Sequence, residues 1–130
     1  MKAILIEVSF GELIDKITIL ELKCKFFTDV EQLNNVNFEL RQLINIFEES
    51  SQISERILEL MERLRLINYE LWQLEKVVRH CANNSDFGSE FIQAARSIYS
   101  NNDARHSIKK SINELVGSRI TDEKNYSVGN

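Results

Sequence analysis

The chain has 130 residues, about the length of one domain built around a single core. Hydrophobic residues make up 43% of it and charged residues 28%, a balance typical of folded proteins and unlike that of disordered ones. The formal net charge of −4 argues against a sequence-independent nucleic-acid binder, which needs a basic face. Proline is absent and glycine occurs only 4 times, which disfavours a turn-rich all-β fold and favours long helices.

The amino-terminal residues and the two cysteines indicate the cellular compartment of the protein. The opening MKAILIEVSF contains a short apolar run interrupted by Glu7, and it lacks the length and the cleavage site of a secretory signal. No stretch reaches the roughly 18 apolar residues that a membrane span needs. We therefore expect a cytoplasmic protein without a membrane partner. We also expect Cys24 and Cys81 to be buried free thiols, because each is in phase with the apolar stripe of a predicted helix.

The chain is predicted to begin with a short strand and a helix. Residues 3–8 form a β-prone run that predicts a strand, either paired across a dimer or simply extended. Ser9 and Glu12 then form a capping box, which predicts a helix over about 10–27. The apolar residues of this helix recur at spacings of three and four: Leu13, Ile17, Leu20, Cys24 and Phe27.

Two more helices follow by the same criteria. Thr28 and Glu31 supply a second capping box, and the apolar spacing after them predicts a helix over about 29–48. A third helix, over about 53–82, carries the most regular apolar stripe of the chain. It would span about 45 Å at 1.5 Å per residue, so the first two helices cannot cover it alone.

The last part of the sequence predicts two shorter helices. Apolar spacing indicates helices over about 89–100 and 103–116, with Asn101–Asp103 offering amino-terminal caps for the second of them. Gly117 is the predicted stop. Residues 118–130 read as a tail with Tyr126 as a possible anchor.

The predicted architecture is therefore all-α: an antiparallel bundle of four to five helices in a single domain over residues 1–117.

Several kinds of site are disfavoured by spacing. The soft metal ligands of the chain are His80, His106, Cys24 and Cys81. They form neither a helical i, i+4 pair nor a CxxC motif, so we predict no metal site. No nucleophile elbow and no glycine-rich phosphate loop occurs, and no cofactor is predicted. Glu12 and Asp15 form an ExxD pair like those that hold Mg²⁺ in some all-helical hydrolases. However, the capping box already explains Glu12.

One polar cluster and one tryptophan stand out. The cluster comprises Arg96, Tyr99, Asn102, Asp103, Arg105, Lys109 and Lys110. Arg105 and Lys109 lie one turn apart and could share an anion, whereas the alternative is a solvated face with Asp103 as a helix cap. Trp72 is out of phase with the stripe of the third helix, so it either widens the core or lies at an interface.

Five stretches of the sequence carry a resemblance to a known family. They are SFGELIDKITILELK (Ser9 to Lys23), NYELW (Asn68 to Trp72), FIQAARSIYSNNDAR (Phe91 to Arg105), IKKSIN (Ile108 to Asn113) and DEKNY (Asp122 to Tyr126). Over nearly its whole length the sequence resembles a family of small, uncharacterised bacterial helical proteins, catalogued as a domain of unknown function. The resemblance implies a helical fold, and it brings no known activity or catalytic residues with it. The acidic residues that follow the family's tryptophan are partly replaced here by Gln73 and Lys76, which argues against a site at that point.

Two functional hypotheses follow. The first is a non-enzymatic helical interaction module that self-associates as a dimer, motivated by the long apolar stripe of the third helix. The second is a small-anion, phosphosugar or nucleotide binding protein, with or without enzymatic activity. In the second hypothesis Glu12, Asp15 and Lys16 face residues of the polar cluster. Those residues are Arg96, Tyr99, Asn102, Asp103 and Arg105, with Lys109 beside them.

Overall fold

The structure is a computed structural model that describes residues 1–120 and 123–124. It contains four α-helices: α1 (Phe10–Phe26), α2 (Val30–Glu49), α3 (Glu55–Asn83) and α4 (Ser89–Val116). The prediction of an all-α bundle is confirmed. No helix within the described residues is long and apolar enough to cross a membrane. Tyr126, the possible anchor of the tail, lies outside the described residues.

The strand predicted over residues 3–8 is wrong. These residues form no regular secondary structure and are exposed, with accessibilities of 85% for Ile4, 90% for Leu5 and 79% for Ile6. A strand needs a neighbouring strand to pair with its backbone N–H and C=O groups, and the described part of the chain contains none. The β propensity of this run therefore does not produce a strand within one chain.

The prediction of separate helices over 89–100 and 103–116 is also wrong. One helix of 28 residues runs through Asn101–Asp103, the stretch predicted to cap a new helix. The Asn101 side-chain amide donates to the Ser97 carbonyl at 2.8 Å, one turn back, so this side chain is satisfied inside the helix. Buried residues of α4 lie on both sides of the polar stretch: Ala94, Lys109, Ile112 and Asn113. Packing on both sides outweighs the capping preference of the residues between.

The helix ends follow local chemistry. The Ser9 hydroxyl accepts from the Glu12 backbone N–H at 3.1 Å, as the capping box predicts. The cap of α2 is Asp29 rather than Thr28, because the Asp29 carboxylate accepts from the backbone N–H three residues further on at 2.9 Å. Gly117 ends α4 in the left-handed conformation, with φ of 69°, which confirms the predicted stop.

Helix α1 lies at the centre of the bundle. It packs against α2, α3 and α4, and α3 also packs along α4, whereas α2 approaches only α1 among the described helices. The buried core consists of Leu13, Ile14, Ile17, Phe47, Ile57, Leu60, Met61, Leu64 and Ile112. Because α1, α3 and α4 all contact one another, side chains from these three helices can meet at a shared site.

Both cysteines are free thiols, as predicted, but they differ in exposure. Cys81 is buried, and its burial, reinforced by the nearby Glu90 carboxylate, raises the pKa of its thiol. Cys24 is only half-buried, and its Sγ lies 3.1 Å from Asn37 Oδ1. Cys24 is therefore a free thiol as predicted, but less buried than predicted.

Candidate functional site

A buried carboxylate organises the polar centre of the bundle. Asp15 of α1 is 0% exposed. The Arg105 guanidinium, on α4, donates to both Asp15 oxygens, from Nε at 3.0 Å and from Nη2 at 2.5 Å. The Asn68 amide, on α3, donates to Asp15 Oδ1 at 2.9 Å and to Thr18 Oγ1 at 2.8 Å. The three helices therefore meet at one carboxylate, whose charge is compensated inside the core.

Lys109 extends this network towards the start of α1. It is buried, and its ammonium donates to Glu12 Oε2 at 2.6 Å and lies 3.8 Å from Asp15 Oδ2. Glu12 and Asp15 are three residues apart on α1, and Arg105 and Lys109 are four apart on α4, so each pair shares a helix face. The acids face cations rather than a further acid. The described residues contain no group of three or more side chains that could hold a metal ion.

The Asp15 network brings together some of the predicted site residues. It contains Glu12, Asp15, Arg105 and Lys109, and Asn102 joins it because Arg105 Nη1 lies 3.5 Å from Asn102 Oδ1.

Other predicted site residues lie elsewhere. The Lys16 ammonium is 3.2 Å from a Glu39 carboxylate oxygen of α2, and Asp103 bonds Lys124. Arg96 precedes Arg105 by nine residues in one helix, which corresponds to half a turn around the helix and about 13.5 Å along its axis. Arg96 and Arg105 therefore do not converge on one anion.

A cleft of about 600 Å³, the α1–α3–α4 cleft, opens beside the network. Its lining consists of Ile19, Leu22, Asn68, Leu71, Trp72, Glu75, Lys76, Arg79, Asn102 and Arg105. Part of this lining is apolar or aromatic, and part is polar. Asn68 and Arg105 belong to both the lining and the Asp15 network, so the buried carboxylate fixes the polar end of the cleft.

Trp72 is the aromatic residue of the cleft. Its indole stacks on Phe26 with ring centroids 5.5 Å apart and also lies against Phe27 at 6.2 Å. Its Nε1–H is buried and has no hydrogen-bond acceptor among the described residues. Buried polar groups are nearly always paired, so this unpaired N–H is an unusual feature of the packing around Trp72.

The lining of the cleft is cationic. Lys76, Arg79 and Arg105 border it against the single carboxylate of Glu75. Arg79 Nε is 3.8 Å from a Glu75 oxygen, too long for a hydrogen bond, and the Lys76 ammonium sits 4.5 Å from the centroid of the Phe26 ring. A molecule in the cleft therefore meets more positive than negative charge.

Comparison with known proteins identifies a family. A model of a family of unknown function, DUF6165, matches residues 4–129. The chain belongs to this family. The match covers all five stretches that carry the resemblance, which is thereby confirmed. No curated protein and no solved structure matches the chain, so function has to be inferred from the site.

A second, smaller cavity of this DUF6165 protein adjoins the cleft. This α4 cavity has a volume of about 320 Å³ and is lined by Tyr99, Asn102, Arg105, His106, Lys109 and Lys124. Asn102 and Arg105 line both spaces. Tyr99, a predicted site residue outside the buried network, is therefore a neighbour of that network through the cavity.

Sequence reasoning missed the residues that α3 contributes to the cleft. Asn68 lies four residues after Leu64 and three before Leu71, a stripe position where a polar residue is a signal of a buried hydrogen bond. Because Gln73 and Lys76 replace acidic residues of the family, the sequence argued against a site after the tryptophan. Lys76 nevertheless lines the cleft, whereas Gln73 does not.

Proposed function

We propose that this DUF6165 protein binds a small anionic ligand that carries a flat ring, such as a nucleotide, in the α1–α3–α4 cleft. The observation that carries the proposal is the lining of the cleft, where an indole ring and an apolar surface lie beside three cations. The volume of about 600 Å³ falls within the roughly 300–1,000 Å³ typical of small-molecule sites.

The apolar side of the cleft suits a flat ring. The lining offers apolar and aromatic contact from Ile19, Leu22, Leu71 and Trp72. Because Phe26 and Phe27 pack on the indole, Trp72 is held in place before a ligand arrives. A preorganised ring surface binds with a smaller loss of conformational entropy.

The charges around the cleft select an anion. Lys76 and Arg79 are exposed at its edge, where they raise the positive potential that a ligand meets on approach. Arg105 is held by Asp15, which does not itself line the cleft, so the guanidinium rather than the carboxylate borders the space.

We expect adenosine and uridine monophosphates, tested separately, to give saturable changes in tryptophan fluorescence with at least one of the two. Trp72 is the only tryptophan of the chain, so the signal reports the cleft directly. In the Lys76→Glu/Arg79→Glu variant the affinity should fall about tenfold or more at low ionic strength, because the potential at the cleft is reversed.

A matched control is available on the same helix. Arg56→Glu/Arg63→Glu changes the net charge by the same amount, but neither residue lines the cleft. Its affinity should stay within about twofold of the wild type, since the charges lie away from the site. Equal losses in the two variants, or no fluorescence change with either nucleotide, would contradict the proposal.

A second candidate function, self-association, is favoured by the amino-terminal segment 4–8. Ile4, Leu5 and Ile6 are consecutive, apolar and exposed, and the segment has no strand partner among the described residues. A β-prone run with unpaired backbone N–H and C=O groups can form a strand by pairing with another chain. The α3 stripe that motivated the dimer prediction packs largely inside the bundle, so support for self-association now comes from this segment.

We expect the wild type to form a dimer in concentration-dependent sedimentation, and Ile4→Glu/Ile6→Glu to shift it towards monomer. Burying the new carboxylates in an interface costs desolvation free energy, which weakens the dimer. Val30→Glu, at an exposed site on α2, should leave the dimer intact. A wild type that is strictly monomeric at high concentration would remove this candidate. The cytoplasmic location stays a prediction.

A further inference from the structure

We infer that two copies of this chain pair through segment 4–8 as a two-stranded antiparallel ribbon centred on Ile6, whose apolar face packs into a groove beside the first turn of α1. This inference rests on the second candidate function, self-association, because it names the surface and the strand register through which the copies pair. It does not involve the α1–α3–α4 cleft, since the groove and the cleft share no lining residue.

The groove, called here the amino-terminal groove, has a volume of about 1020 Å³. Residues of segment 4–8 border it, together with apolar residues of α1, α2 and α4: Phe10, Leu13, Leu43, Ile46 and Val116. This volume exceeds the roughly 300–1,000 Å³ of most small-molecule sites and suits a length of polypeptide. A strand that enters the groove meets both segment 4–8 and the apolar residues of the helices.

The charges that border the amino-terminal groove are already paired. The Lys16 ammonium lies 3.2 Å from a Glu39 oxygen, and Glu12 accepts from Lys109 at 2.6 Å. The other polar residues of the lining are neutral. The groove therefore favours an apolar occupant over an ion.

Segment 4–8 supplies such an occupant from a second copy of the chain. Its sequence alternates so that a strand would place Ile4, Ile6 and Val8 on one face and Leu5 and Glu7 on the other. No backbone hydrogen bond joins the segment to another described residue. Pairing with the same segment of a second copy satisfies these backbone groups in both copies.

The side-chain pattern selects one register. Directly opposed residues of antiparallel strands lie on the same face, so a ribbon centred on Ile6 places Ile6 opposite its copy and Ile4 opposite Val8. Six aliphatic side chains then form one face. A shift by one residue moves Glu7 onto that face. A shift by two brings either Lys2 opposite Val8 or the two Glu7 carboxylates opposite each other.

The groove provides the packing that the ribbon needs, because a two-stranded ribbon alone is only marginally stable. Each copy buries roughly 300–400 Å² from its segment and about as much from its groove, close to the ~800 Å² per partner of a standard interface. Arg119 Nε donates to Glu7 Oε2 at 3.0 Å and holds the segment beside the end of α4. Glu7 belongs to the face opposite the aliphatic one, so this ion pair is compatible with the ribbon.

Single cysteine substitutions test the register by disulfide formation under mild oxidation. Opposed residues have Cα atoms about 4.5–5.5 Å apart, a distance that a disulfide spans, whereas Leu5 and its copy are diagonal neighbours about 7–8 Å apart. We expect Ile6→Cys to form a covalent dimer about tenfold or more faster than Leu5→Cys. A mixture of Ile4→Cys and Val8→Cys should form the heterodimer in preference to either homodimer, as measured by mass spectrometry. The wild type, with its two native thiols, is the control.

Ile46→Glu tests the groove separately from the strand. Ile46 lines the groove and is 55% exposed, so the monomer should stay folded. We expect the dissociation constant of the dimer to rise about tenfold or more in sedimentation, because a carboxylate is buried under the ribbon. Phe38→Glu is the matched control, since Phe38 is an exposed apolar residue of the same helix that does not border the groove. Its dissociation constant should stay within about twofold of the wild type.

The outcomes separate the ribbon from self-association as such. A wild type that is monomeric at high concentration overturns both. If the wild type is a dimer that Ile4→Glu/Ile6→Glu dissociates, self-association stands. The ribbon is then overturned if Ile6→Cys forms a disulfide no faster than Leu5→Cys, or if Ile46→Glu dimerises as tightly as Phe38→Glu.

Discussion

The Asp15→Asn variant is expected to lose about 3–5 kcal/mol of unfolding free energy, a large share of what a small domain has. Asparagine keeps the shape of aspartate but removes its charge, so the Arg105 guanidinium, only 29% exposed, loses its counterion. The Asn68 amide also loses a charged acceptor. Urea unfolding followed by Trp72 fluorescence measures the change, and the thermal midpoint should fall by roughly 10 °C or more.

The neighbouring residue provides the control. Lys16 pairs with Glu39 across exposed surface, so Lys16→Ala should change the unfolding free energy by less than about 1 kcal/mol. Combining Asp15→Asn with Arg105→Met should cost less than the sum of the single changes, because the double variant removes both charges of the buried pair together. An Asp15→Asn variant as stable as Lys16→Ala would show that the buried pair is not what organises the bundle.

Most of the helices could be predicted because their signals are local. Apolar residues at spacings of three and four produce a stripe that must be buried, and Ser9 and Gly117 mark helix ends through bonds within a few residues. A strand over residues 3–8 could not be predicted from such local signals, and none is seen. A strand depends on a distant partner, and no part of the described chain supplies one.

In α4, tertiary packing outweighs the local capping preference that predicted an interruption of the helix. Asn101–Asp103 are good capping residues, but they cap a helix only if the chain breaks there. No glycine or proline forces a break, and α4 is buried on both sides of the stretch, so the helix continues.

The continuity of α4 also decides which predicted site residues meet. Arg105 and Lys109 share a face at four-residue spacing, as Glu12 and Asp15 do at three, and the two faces pack together. Arg96 is half a turn away from Arg105 in the continuous helix, so it does not share this face.

The cleft could not be predicted from the sequence for a different reason. It is a space between side chains of three helices, and no spacing within one helix gives its depth. Asn68 was the available clue, since a polar residue in an apolar stripe needs a buried partner. That the partner is Asp15, fifty-three positions earlier in the chain, follows only from the packing.

The Gly11→Ala variant is expected to lose about 1–3 kcal/mol of unfolding free energy, although alanine favours helices more than glycine does. At Gly11, α1 approaches α4 so closely that a Cβ would lie 2.7 Å from the Lys109 carbonyl oxygen and 2.9 Å from Asn113 Oδ1. The Gly11 N–H also donates to Asn113 Oδ1 at 2.7 Å. Because a backbone carbonyl cannot rotate away, the helices must separate where Glu12 meets Lys109. Urea unfolding measures the loss.

Gly88→Ala tests whether this close approach, rather than the loss of a glycine, is the cause. A Cβ at Gly88 would meet only the Asp86 side chain, at 3.2 Å, which can move aside, so the change should stay below about 1 kcal/mol. The separation of α1 from α4 should also weaken nucleotide binding in Gly11→Ala, since Arg105 and Asn102 would lose their alignment with the cleft. Equal stability of Gly11→Ala and wild type would mean that α1 and α4 can move apart without cost, and that the Asp15 network does not hold them at a fixed distance.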